Sequence, residues 1–529
     1  MPDPQVKRVL ISVTDKTGVV EFARALATEF GAEIVSTGGT AKALEEAGVS
    51  VRPIDDLTGF PEMMDGRVKT LHPRVHGGLL ARRDLASHLA AAEEHGIGLI
   101  DMVVVNLYAF EATVAKEGVA YEEAIENIDI GGPSMLRSAA KNHASVAVVT
   151  NPASYSSILE ELRANAGATT LATRKQLALE VFRLTSAYDN AIYGWLGKQL
   201  ETGAHAFSAD RRLFLTKAQD LRYGENPHQK AAFYHNPPKN PHCSVNPAWQ
   251  LANAQQLQGK ELSYNNYLDL DAAWGAVREF SEPTCVIVKH LTPCGIASNG
   301  DLAVAYQKAH DCDTVSAFGG VMAFNREVPA ALVEAIYANG QFIEAVIAPS
   351  YAPAALELFT QKPNARILKT GGINAPGGML DYRSVEGGML VQGPDTANED
   401  PAAFTVPTTR QPTAQELDEL LFAWKACKSV KSNAILIAKG KATAGTGAGQ
   451  PNRVNSAELA VKQAGDKAKG AVAASDAFMP FADSLEVLIA AGVTAVIQPG
   501  GSIRDQEVID AANAAGVALV FTGHRHFRH

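Results

Sequence analysis

Residues 8–48 read RVLISVTDKTGVVEFARALATEFGAEIVSTGGTAKALEEAG and decide the first fold of the chain. An apolar, strand-like run precedes a helix-like segment, and the same order then repeats. Further apolar runs follow at 101–108 (DMVVVNLY) and 145–150 (SVAVVT). Alternation of strand and helix signals is typical of a parallel, doubly wound α/β sheet. We therefore expect such a sheet within the first 150 residues.

A second α/β part follows this first one after a break. A helix is predicted from about Leu171 to Leu200, and the polar segment ETGAHAFSADRR at 201–212 is typical of a linker. Beyond it the alternation of strand-like and helix-like runs continues to the C-terminus. We predict one domain at 1–200, a linker at 201–212 and a second domain at 213–529.

Two apolar motifs recur 150 residues apart in the second part. VIVK ends at Lys289 and LIAK at Lys439, while AVIAP ends at Pro349 and AVIQP at Pro499. This spacing suggests the tandem duplication of a unit of about 150 residues. Because the intervening motifs do not keep the same offset, two unrelated buried strands remain the alternative.

Composition limits the functions that the chain can have. The 529 residues include 47 Lys and Arg against 57 Asp and Glu, a formal net charge of -10. No apolar run approaches the ~20 residues of a membrane helix, and the N-terminal residues lack a secretory signal pattern. We expect a soluble, cytoplasmic protein with no membrane or nucleic-acid partner. The five cysteines are odd in number and widely spaced, so we predict reduced thiols and no metal site.

Hydroxyls, glycines and cations follow the predicted strands of the first part. In open α/β sheets ligands bind at the carboxyl ends of strands, where helix N-termini favour anions. Alone, Tyr108 would more often be a packed aromatic and Lys141 a solvated helix residue. Together the residues predict a site for a phosphate-bearing ligand. The candidates are Ser12, Lys16, Ser36, Thr37, Gly38, Gly39, Thr40, Arg67, Lys69, Thr70, Asn106, Tyr108, Asp129, Gly131, Gly132 and Lys141.

A second cluster centres on CVIVKHLTPCG at 285–295, an apolar strand that ends on Lys289 and His290 before a sharp turn. Histidine can act as a general base near neutral pH, and an adjacent ammonium can stabilise developing negative charge. Pro293-Cys294 matches half of the zinc-deaminase signature, but the second cysteine and the H-x-E element are missing. We predict no catalytic zinc.

Taken together, the motifs resemble one family, the bifunctional purine biosynthesis proteins that combine phosphoribosylaminoimidazolecarboxamide formyltransferase with IMP cyclohydrolase. Practically the whole chain takes part, with small departures at Ala109, where NLYPF is familiar, and at His524. Both concern packing more than chemistry. The motifs are SVTDKTG, STGGT, TGFPEMMDGRVKTLHP, NLYAF, IDIGGPSMLRSAAKNH, LRYGENPHQ, KHLTPCG, SAFGGV, GAGQ, SDAFMPF and RHFRH.

The resemblance implies a fold and two reactions. The N-terminal domain would be a methylglyoxal-synthase-like cyclohydrolase, and the C-terminal domain a formyltransferase of two cytidine-deaminase-like α/β subdomains. The first reaction would transfer a formyl group from 10-formyltetrahydrofolate to 5-amino-1-(5-phosphoribosyl)imidazole-4-carboxamide, and the second would close the ring to IMP. The family further suggests a homodimer whose formyltransferase sites span the subunit interface, and no metal requirement.

The resemblance also assigns roles to residues. In formyl transfer His290 would take the amine proton, Lys289 would stabilise the intermediate and Asn433 would orient the groups. In ring closure Lys69, Tyr108, Asp129 and Lys141 would handle protons and the oxyanion. The remaining implied contacts are Arg222, Tyr223, Arg453 and Arg525 to the nucleotide, and Glu344, Phe478 and Asp483 to the folate.

Two alternatives remain open at the level of sequence. One is a single-activity formyltransferase or cyclohydrolase whose other half is a binding or assembly module. The other is a non-catalytic nucleotide sensor that uses the same phosphate-binding loops. The run Gly445–Gly449 is equally open, since it suits a flexible turn as well as an anion cradle.

Overall fold

The computed structural model describes residues 3–200, 207, 210–211, 213, 215–235, 249–374, 380–397 and 400–529. These fall into two compact units, one ending at residue 213 and the other beginning at residue 215. Most of the predicted linker at 201–212 lies outside the described residues, as does Cys243.

The first unit alternates short strands with helices, and its long last helix has the predicted bounds. Its described strands are β1 (Arg8–Ser12), β2 (Glu33–Ser36), β3 (Arg52–Pro53), β4 (Met102–Val105) and β5 (Ala147–Val149). Its described helices are α1 (Val19–Phe30), α2 (Gly38–Glu46), α3 (Ile54–Thr58), α4 (Pro73–Leu80), α5 (Ala86–Glu94), α6 (Phe110–Val114), α7 (Tyr121–Glu126), α8 (Gly131–Lys141), α9 (Tyr155–Ala164) and α10 (Leu171–Leu200).

The sheet of the first unit has the order β3-β2-β1-β4-β5, and its strand pairs are parallel. Strands β4 and β5 are buried along their whole length, as expected where helices cover both faces of a parallel sheet. The predicted parallel α/β sheet is confirmed. The chain adds β2 and β3 on one side of β1 and then β4 and β5 on the other, and such a switch point leaves a crevice at the carboxyl ends of β1 and β4.

The second unit consists of two repeated α/β sheets with shorter additions. Its described strands are β6 (Thr216–Leu221), β7 (Ala231–His235), β8 (Gln255–Gln258), β9 (Thr284–Lys289), β10 (Thr292–Ser298), β11 (Val321–Phe324), β12 (Ala345–Ala348), β13 (Arg366–Lys369), β14 (Asp381–Val385), β15 (Gly388–Gln392), β16 (Ile435–Ala438), β17 (Thr443–Gly447), β18 (Val472–Ser475), β19 (Ala495–Gln498) and β20 (Ala518–Phe521). Its described helices are α11 (Tyr264–Val277), α12 (Leu302–His310), α13 (Thr314–Ala317), α14 (Ala330–Ala338), α15 (Pro353–Phe359), α16 (Ala414–Cys427), α17 (Arg453–Ala464), α18 (Asp483–Ala490) and α19 (Asp505–Ala515).

The two sheets repeat one topology. Their orders are β10-β9-β11-β12-β13-β8 and β17-β16-β18-β19-β20, so apart from the edge strand β8 the two correspond, and β9 and β16 each lie between the two strands that follow them in the chain. The echoed motifs fall on equivalent strands, β9 with β16 and β12 with β19. Helices α11 and α16 also begin 150 residues apart, and each starts with a capping box, at Ser263 and Thr413. Corresponding topology supports the predicted duplication and disfavours two unrelated strands.

One hydrophobic core joins the two repeats. Trp274 of α11 and Trp424 of α16 are both buried in it, and the rings of Phe280 and Phe422 lie 5.4 Å apart. Since both sheets contribute to this core, the repeats form a single folded body. Among the described helices of either unit, none has the length and apolar character that crossing a bilayer requires.

Candidate functional site

Three loops of the first unit meet in the crevice at the carboxyl ends of β1, β2 and β4. The hydroxyls of Ser12 and Thr37 lie 3.1 Å apart. Asn106 Oδ1 accepts hydrogen bonds from the backbone N–H groups of Thr14 at 2.6 Å and Asp15 at 2.9 Å. The structure therefore brings the predicted residues Ser12, Thr37 and Asn106 together, as expected at a topological switch point.

Two predicted binding hydroxyls in this crevice have structural partners instead. Ser36 Oγ donates to the carbonyl of Ile11 at 2.7 Å. Thr40 Oγ1 accepts from the N–H of Val13 and donates to its carbonyl, both at 3.0 Å. Both side chains are buried. Their hydroxyls fasten the strands to the following loops, because buried polar groups need internal partners.

Lys69 lies beside the N-terminus of α2. A Cβ atom added to Gly38 would stand 3.1 Å from Lys69 Nζ, so the glycine leaves room for the ammonium. Gly38 and Gly39, the first residues of α2, are exposed, and their location suits contact with an anion. The Lys69 ammonium also forms an ion pair with Glu62, at 2.5 Å from Oε2. Sequence reasoning did not find Glu62, whose only signal was its presence in the same motif.

Asp129 lies at the N-terminus of α8 and is held there by backbone donors. Gly132 N donates to Asp129 Oδ1 at 2.8 Å, and Tyr108 N lies 3.4 Å from Oδ2. The N–H of Asp129 itself donates to the Tyr188 hydroxyl at 2.8 Å. A Cβ atom on Gly132 would come within 2.4 Å of Asp129 Oδ2, so a larger residue there would displace the carboxylate. The carboxylate is thus fixed beside Tyr108.

Thr70 and Gly131 connect the Lys69 loop with α8. A Cβ atom on Gly131 would lie 2.8 Å from Thr70 Oγ1, and the Thr70 side chain is buried. Lys69 directly precedes Thr70, and Asp129 lies two residues before Gly131. The contact therefore places the two catalytic candidates on neighbouring segments. The first helical turns of α2 and α8 border the same region of the unit.

The surroundings of Asp129 and Tyr108 raise the pKa of both groups. Burial raises the pKa of Asp129 above its ordinary value, against the opposing effect of the N–H groups of Gly132 and Tyr108. Burial, Asp129 and Glu62 together raise the pKa of the Tyr108 phenol. At neutral pH Tyr108 therefore remains a hydrogen-bond donor, while Asp129 is a stronger base than a solvated carboxylate.

The three remaining predicted residues of the first unit are cations. Lys141 ends α8, about 15 Å along the helix axis from Gly131, because each residue adds about 1.5 Å. Lys16 is exposed in the loop between β1 and α1. Arg67 is exposed and paired with Glu126 through its Nε and NH2 groups.

Glu111 of α6 is a buried carboxyl that follows Tyr108 closely in sequence. Burial raises its pKa to about 7 from an ordinary value of 4.5. The folded state therefore favours the protonated form, and the associated stability, present below pH 4.5, is lost as the pH rises towards 7.

Glu111→Gln should consequently stabilise the first unit at pH 8 and have little effect at pH 4.5. The expected gain at pH 8 is roughly 2 kcal/mol, since a tenfold change in proton affinity is worth about 1.4 kcal/mol and residual solvent access reduces the full value. Hydrogen exchange of the buried β4 amides at both pH values would measure it. Glu45→Gln, at an exposed position, is the control, and an equal gain at both pH values would contradict the prediction.

In the second unit Lys289 and His290 lie at the tip of the β9–β10 hairpin. His290 and Leu291 form the two-residue turn and have φ values of 53° and 64°. Positive φ at both positions matches the right-handed twist of a hairpin but is costly for side chains other than glycine. Asp269 Oδ1 accepts the N–H of Leu291 at 2.7 Å, and Lys289 Nζ donates to the carbonyl of Phe318 at 2.9 Å. The exposed imidazole is therefore carried on a fixed turn.

Asn433, which precedes β16, is held by an internal network. Its Oδ1 accepts from Arg453 NH2 at 2.8 Å, and its Nδ2 donates to the carbonyl of Gln450 at 2.9 Å. Arg453 also pairs with Asp476, and both side chains are buried. The guanidinium predicted to contact the nucleotide thus orients Asn433 and neutralises a buried carboxylate.

The two repeats approach each other along β10 and β17. Ile296 N donates to Thr443 Oγ1 at 3.0 Å, and Ala297 pairs with Ala442 in an antiparallel bridge. Because the bridge is antiparallel, the start of β10, next to the His290 turn, and the end of β17 lie on the same side of it. The residues after β17 include Gln450, which binds Asn433. Lys289 and His290 therefore lie on the same side of the bridge as Asn433, which precedes β16.

A cavity of ≈ 390 Å³ contains two of the predicted binding residues, Arg222 and Glu344. Glu344 Oε1 accepts from Arg366 NH1 at 2.8 Å and from Asn266 Nδ2 at 2.9 Å. Arg222 stacks on Tyr223, with the guanidinium carbon 4.7 Å from the ring centroid. Sequence reasoning assigned Arg222 to the nucleotide and Glu344 to the folate, whereas the structure puts them in one cavity. Arg366 was missed, because a basic residue at the start of a strand carries no distinct signal.

A second cavity, of ≈ 340 Å³, is lined by Ser432, Asn433, Gly449, Gln450 and Pro451 and, from the C-terminal tail, by Phe527 and His529. The tail is docked there, since Ser432 N donates to the carbonyl of Arg528 and His526 N to that of Asp476, both at 2.9 Å. Arg525 itself is exposed and stacks over Phe527 at 4.5 Å. The backbone of the tail is thus held in place while the Arg525 guanidinium faces solvent.

The two other predicted folate contacts follow β18 in the second repeat. Phe478 is 38% exposed, which leaves its ring available for packing against a ligand. Asp483 begins α18, and its Oδ1 accepts from Ser484 N at 2.6 Å. Within the described ranges, no group of three or more His, Cys, Asp or Glu side chains is arranged to hold a metal ion, and the four described cysteines are free and buried.

Comparison with known proteins gives matches over most of the chain. A family model described as the AICARFT/IMPCHase bienzyme matches residues 139–463, more than half of the sequence. A model of the MGS-like domain matches residues 18–134. A solved structure described as "Crystal structure of ForH" is similar at 35% identity, over 36% of this chain and 99% of that one, with a TM-score of 0.34.

Proposed function

The chain belongs to the AICARFT/IMPCHase bienzyme family and is a bifunctional formyltransferase and cyclohydrolase of purine biosynthesis, and on that premise we propose which residues carry each reaction. Ring closure takes place in the domain at 1–200 and formyl transfer in the domain at 213–529. The formyl donor is 10-formyltetrahydrofolate, and the acceptor is 5-amino-1-(5-phosphoribosyl)imidazole-4-carboxamide. The enzyme works in the cytoplasm as a homodimer and needs no metal.

The grouping of Lys69, Tyr108 and Asp129 supports the assignment of ring closure. The carboxamide nitrogen of the formylated nucleotide attacks the formyl carbon, and a C–N bond forms. Asp129 accepts the nitrogen proton, while Lys69 and the Tyr108 phenol donate hydrogen bonds to the developing oxyanion. The oxygen then takes up two protons, the one that Asp129 accepted and one from the former formamide nitrogen, and leaves as water as the C–O bond breaks and a C=N bond forms. Because the reaction is intramolecular, positioning of the two groups supplies much of the rate.

The crevice around these groups accommodates the nucleotide. The first turns of α2 and α8 carry Gly38, Gly39 and Gly131, whose backbone can approach an anion closely, while Gly132 holds Asp129 in place. Ser12, Thr37, Thr70 and Asn106 line the adjoining loops, and Ser36 and Thr40 keep those loops in place. Lys16 and Arg67 are exposed cations that can bind the phosphate of the nucleotide. Arg67 does so by exchanging Glu126 for the phosphate. Lys141 lies at the far end of α8 and does not contact the reacting atoms.

The rigid hairpin of Lys289 and His290 supports the assignment of formyl transfer. The amine of the nucleotide attacks the formyl carbon of the folate, and His290 accepts its proton as the new C–N bond forms. Lys289 stabilises the tetrahedral oxyanion, and Asn433 orients the reacting groups. The bond from the formyl carbon to the folate nitrogen then breaks, and that nitrogen leaves protonated as tetrahydrofolate.

Binding in this domain relies on cations and an aromatic ring. Arg222, Tyr223 and Arg525 contact the nucleotide and its phosphate. Arg453 contributes through Asn433. Glu344, Phe478 and Asp483 contact the folate, and the exposed side of the Phe478 ring packs against it.

The test is a product assay with the purified protein. With both substrates, tetrahydrofolate and IMP should appear, and with the formylated nucleotide alone IMP should form without folate. Lys69→Ala should lose only the second reaction and Lys289→Ala only the first. If either substitution abolished both reactions, or neither, the assignment of one reaction to each domain would be wrong. Nucleotide binding without any product would instead identify a sensor.

A further inference from the structure

Glu62 occupies an unusual position in the first unit. Its carboxylate contacts Lys69 Nζ at 2.5 Å, and the lysine side chain is only 18% exposed. A Cβ atom on Gly66 would come within 2.7 Å of Glu62 Oε1, so this glycine, with φ of 90°, leaves the room that the carboxylate needs. The pairing of Met63 with Val68 closes the intervening loop. The loop is therefore shaped to turn Glu62 back onto Lys69.

This ion pair solves an electrostatic problem. The N-terminus of a helix carries a partial positive charge, so an ammonium beside the first turn of α2 is unfavourable without a counter-charge. Glu62 supplies that charge. It also acts on Tyr108, since its charge contributes to raising the pKa of the phenol. One carboxylate thus influences both proposed oxyanion donors.

We infer that Glu62 is a positioning residue for ring closure, whose carboxylate holds the Lys69 ammonium beside the first turn of α2 where the reacting formyl oxygen meets it. The inference rests on the proposed role of Lys69 in this unit. Glu62 does not itself contact the reacting atoms. Its effect passes through the location of Lys69 and through the charge that it adds near Tyr108.

The experiment compares Glu62→Gln and Glu62→Asp in the full chain, with the formylated nucleotide as the probe. Glu62→Gln should lower kcat of ring closure by about 10- to 100-fold and change KM by less than about threefold, since a misplaced catalytic group costs mainly kcat. Glu62→Asp keeps the charge and should recover part of the loss. Glu29→Gln is the matched control, because Glu29 forms an ion pair with Arg163 and has a similarly exposed side chain.

The pH profile separates positioning from folding. Loss of the Glu62 charge should lower the pKa of Tyr108, so the alkaline limb of the ring-closure profile should move to lower pH in Glu62→Gln but not in Glu62→Asp or Glu29→Gln. Formyl transfer by the same preparations should stay unchanged, which confines the effect to the first unit. Equal losses in the Gln and Asp variants, or an unmoved alkaline limb, would overturn the inference.

Lys69→Ala distinguishes this inference from the proposed function. If Lys69→Ala still closed the ring, the proposed role of Lys69 would fail, and the role of Glu62 with it. If Lys69→Ala were inactive while Glu62→Gln matched Glu29→Gln, only the inference about Glu62 would fail.

Discussion

Replacement of His290 by alanine is expected to lower kcat/KM of formyl transfer by about 10²- to 10⁴-fold and to leave ring closure unchanged, because a positioned general base contributes about that much. The attacking amine is attached to an aromatic ring and is weakly nucleophilic, so its proton must be taken as the bond forms. Initial rates of tetrahydrofolate release would measure the loss. IMP formation from the formylated nucleotide would show that the first unit is intact.

The backbone of the turn requires a second variant. His290 has φ of 53°, a conformation that asparagine adopts more readily than most residues. His290→Asn therefore keeps the hairpin but lacks a base, and it should be as inactive as His290→Ala. His524→Ala, at an exposed position of the same unit, is the control for loss of an imidazole. Recovery of activity in His290→Asn would mean that the shape of the turn matters and the imidazole does not.

Much of the fold could be predicted because it depends on local patterns. Strand β4 is a continuous apolar run, and α10 follows helical periodicity from Leu171 to Leu200, so both are encoded in neighbouring residues. The repeat was visible because similar motifs, VIVK and LIAK, recur 150 residues apart. In the structure they fall on equivalent strands. The strand order was not visible in these patterns, since pairing between distant strands depends on packing across the whole sheet.

The candidate site was predicted less completely, for physical reasons. Ser36 and Thr40 have hydroxyls that suit a ligand or a backbone carbonyl equally well, and only the folded geometry shows which partner is near. Lys141 lies in a family motif, but its distance from Asp129 depends on where α8 begins. Glu62 and Asp269 act through single contacts that tertiary structure creates.

Arg453 shows how the structure adds contacts that the predicted role of a residue does not include. An arginine near a glycine-rich run favours a phosphate contact, and the sequence offers no indication that Asp476 is buried against it. A buried carboxylate requires a partner, so the guanidinium is committed before any ligand arrives. Its influence on catalysis passes through Asn433, whose amide oxygen it holds.

Asp129→Asn is expected to lower kcat of ring closure by about 10²- to 10³-fold, while formyl transfer stays at the level of the unchanged enzyme. The amide has the size of the carboxylate and can still accept the N–H of Gly132, so the loop should keep its shape while the base is lost.

Burial raises the pKa of Asp129, so in the unchanged enzyme ring closure should decline with falling pH at values above those of a solvated carboxylate. In Asp129→Asn this acid limb should disappear, because the variant has no carboxylate at this position that protonation could inactivate. Asp56→Asn, at an exposed position of the same unit, is the control. Retention of the acid limb in Asp129→Asn would show that another group accepts the carboxamide proton.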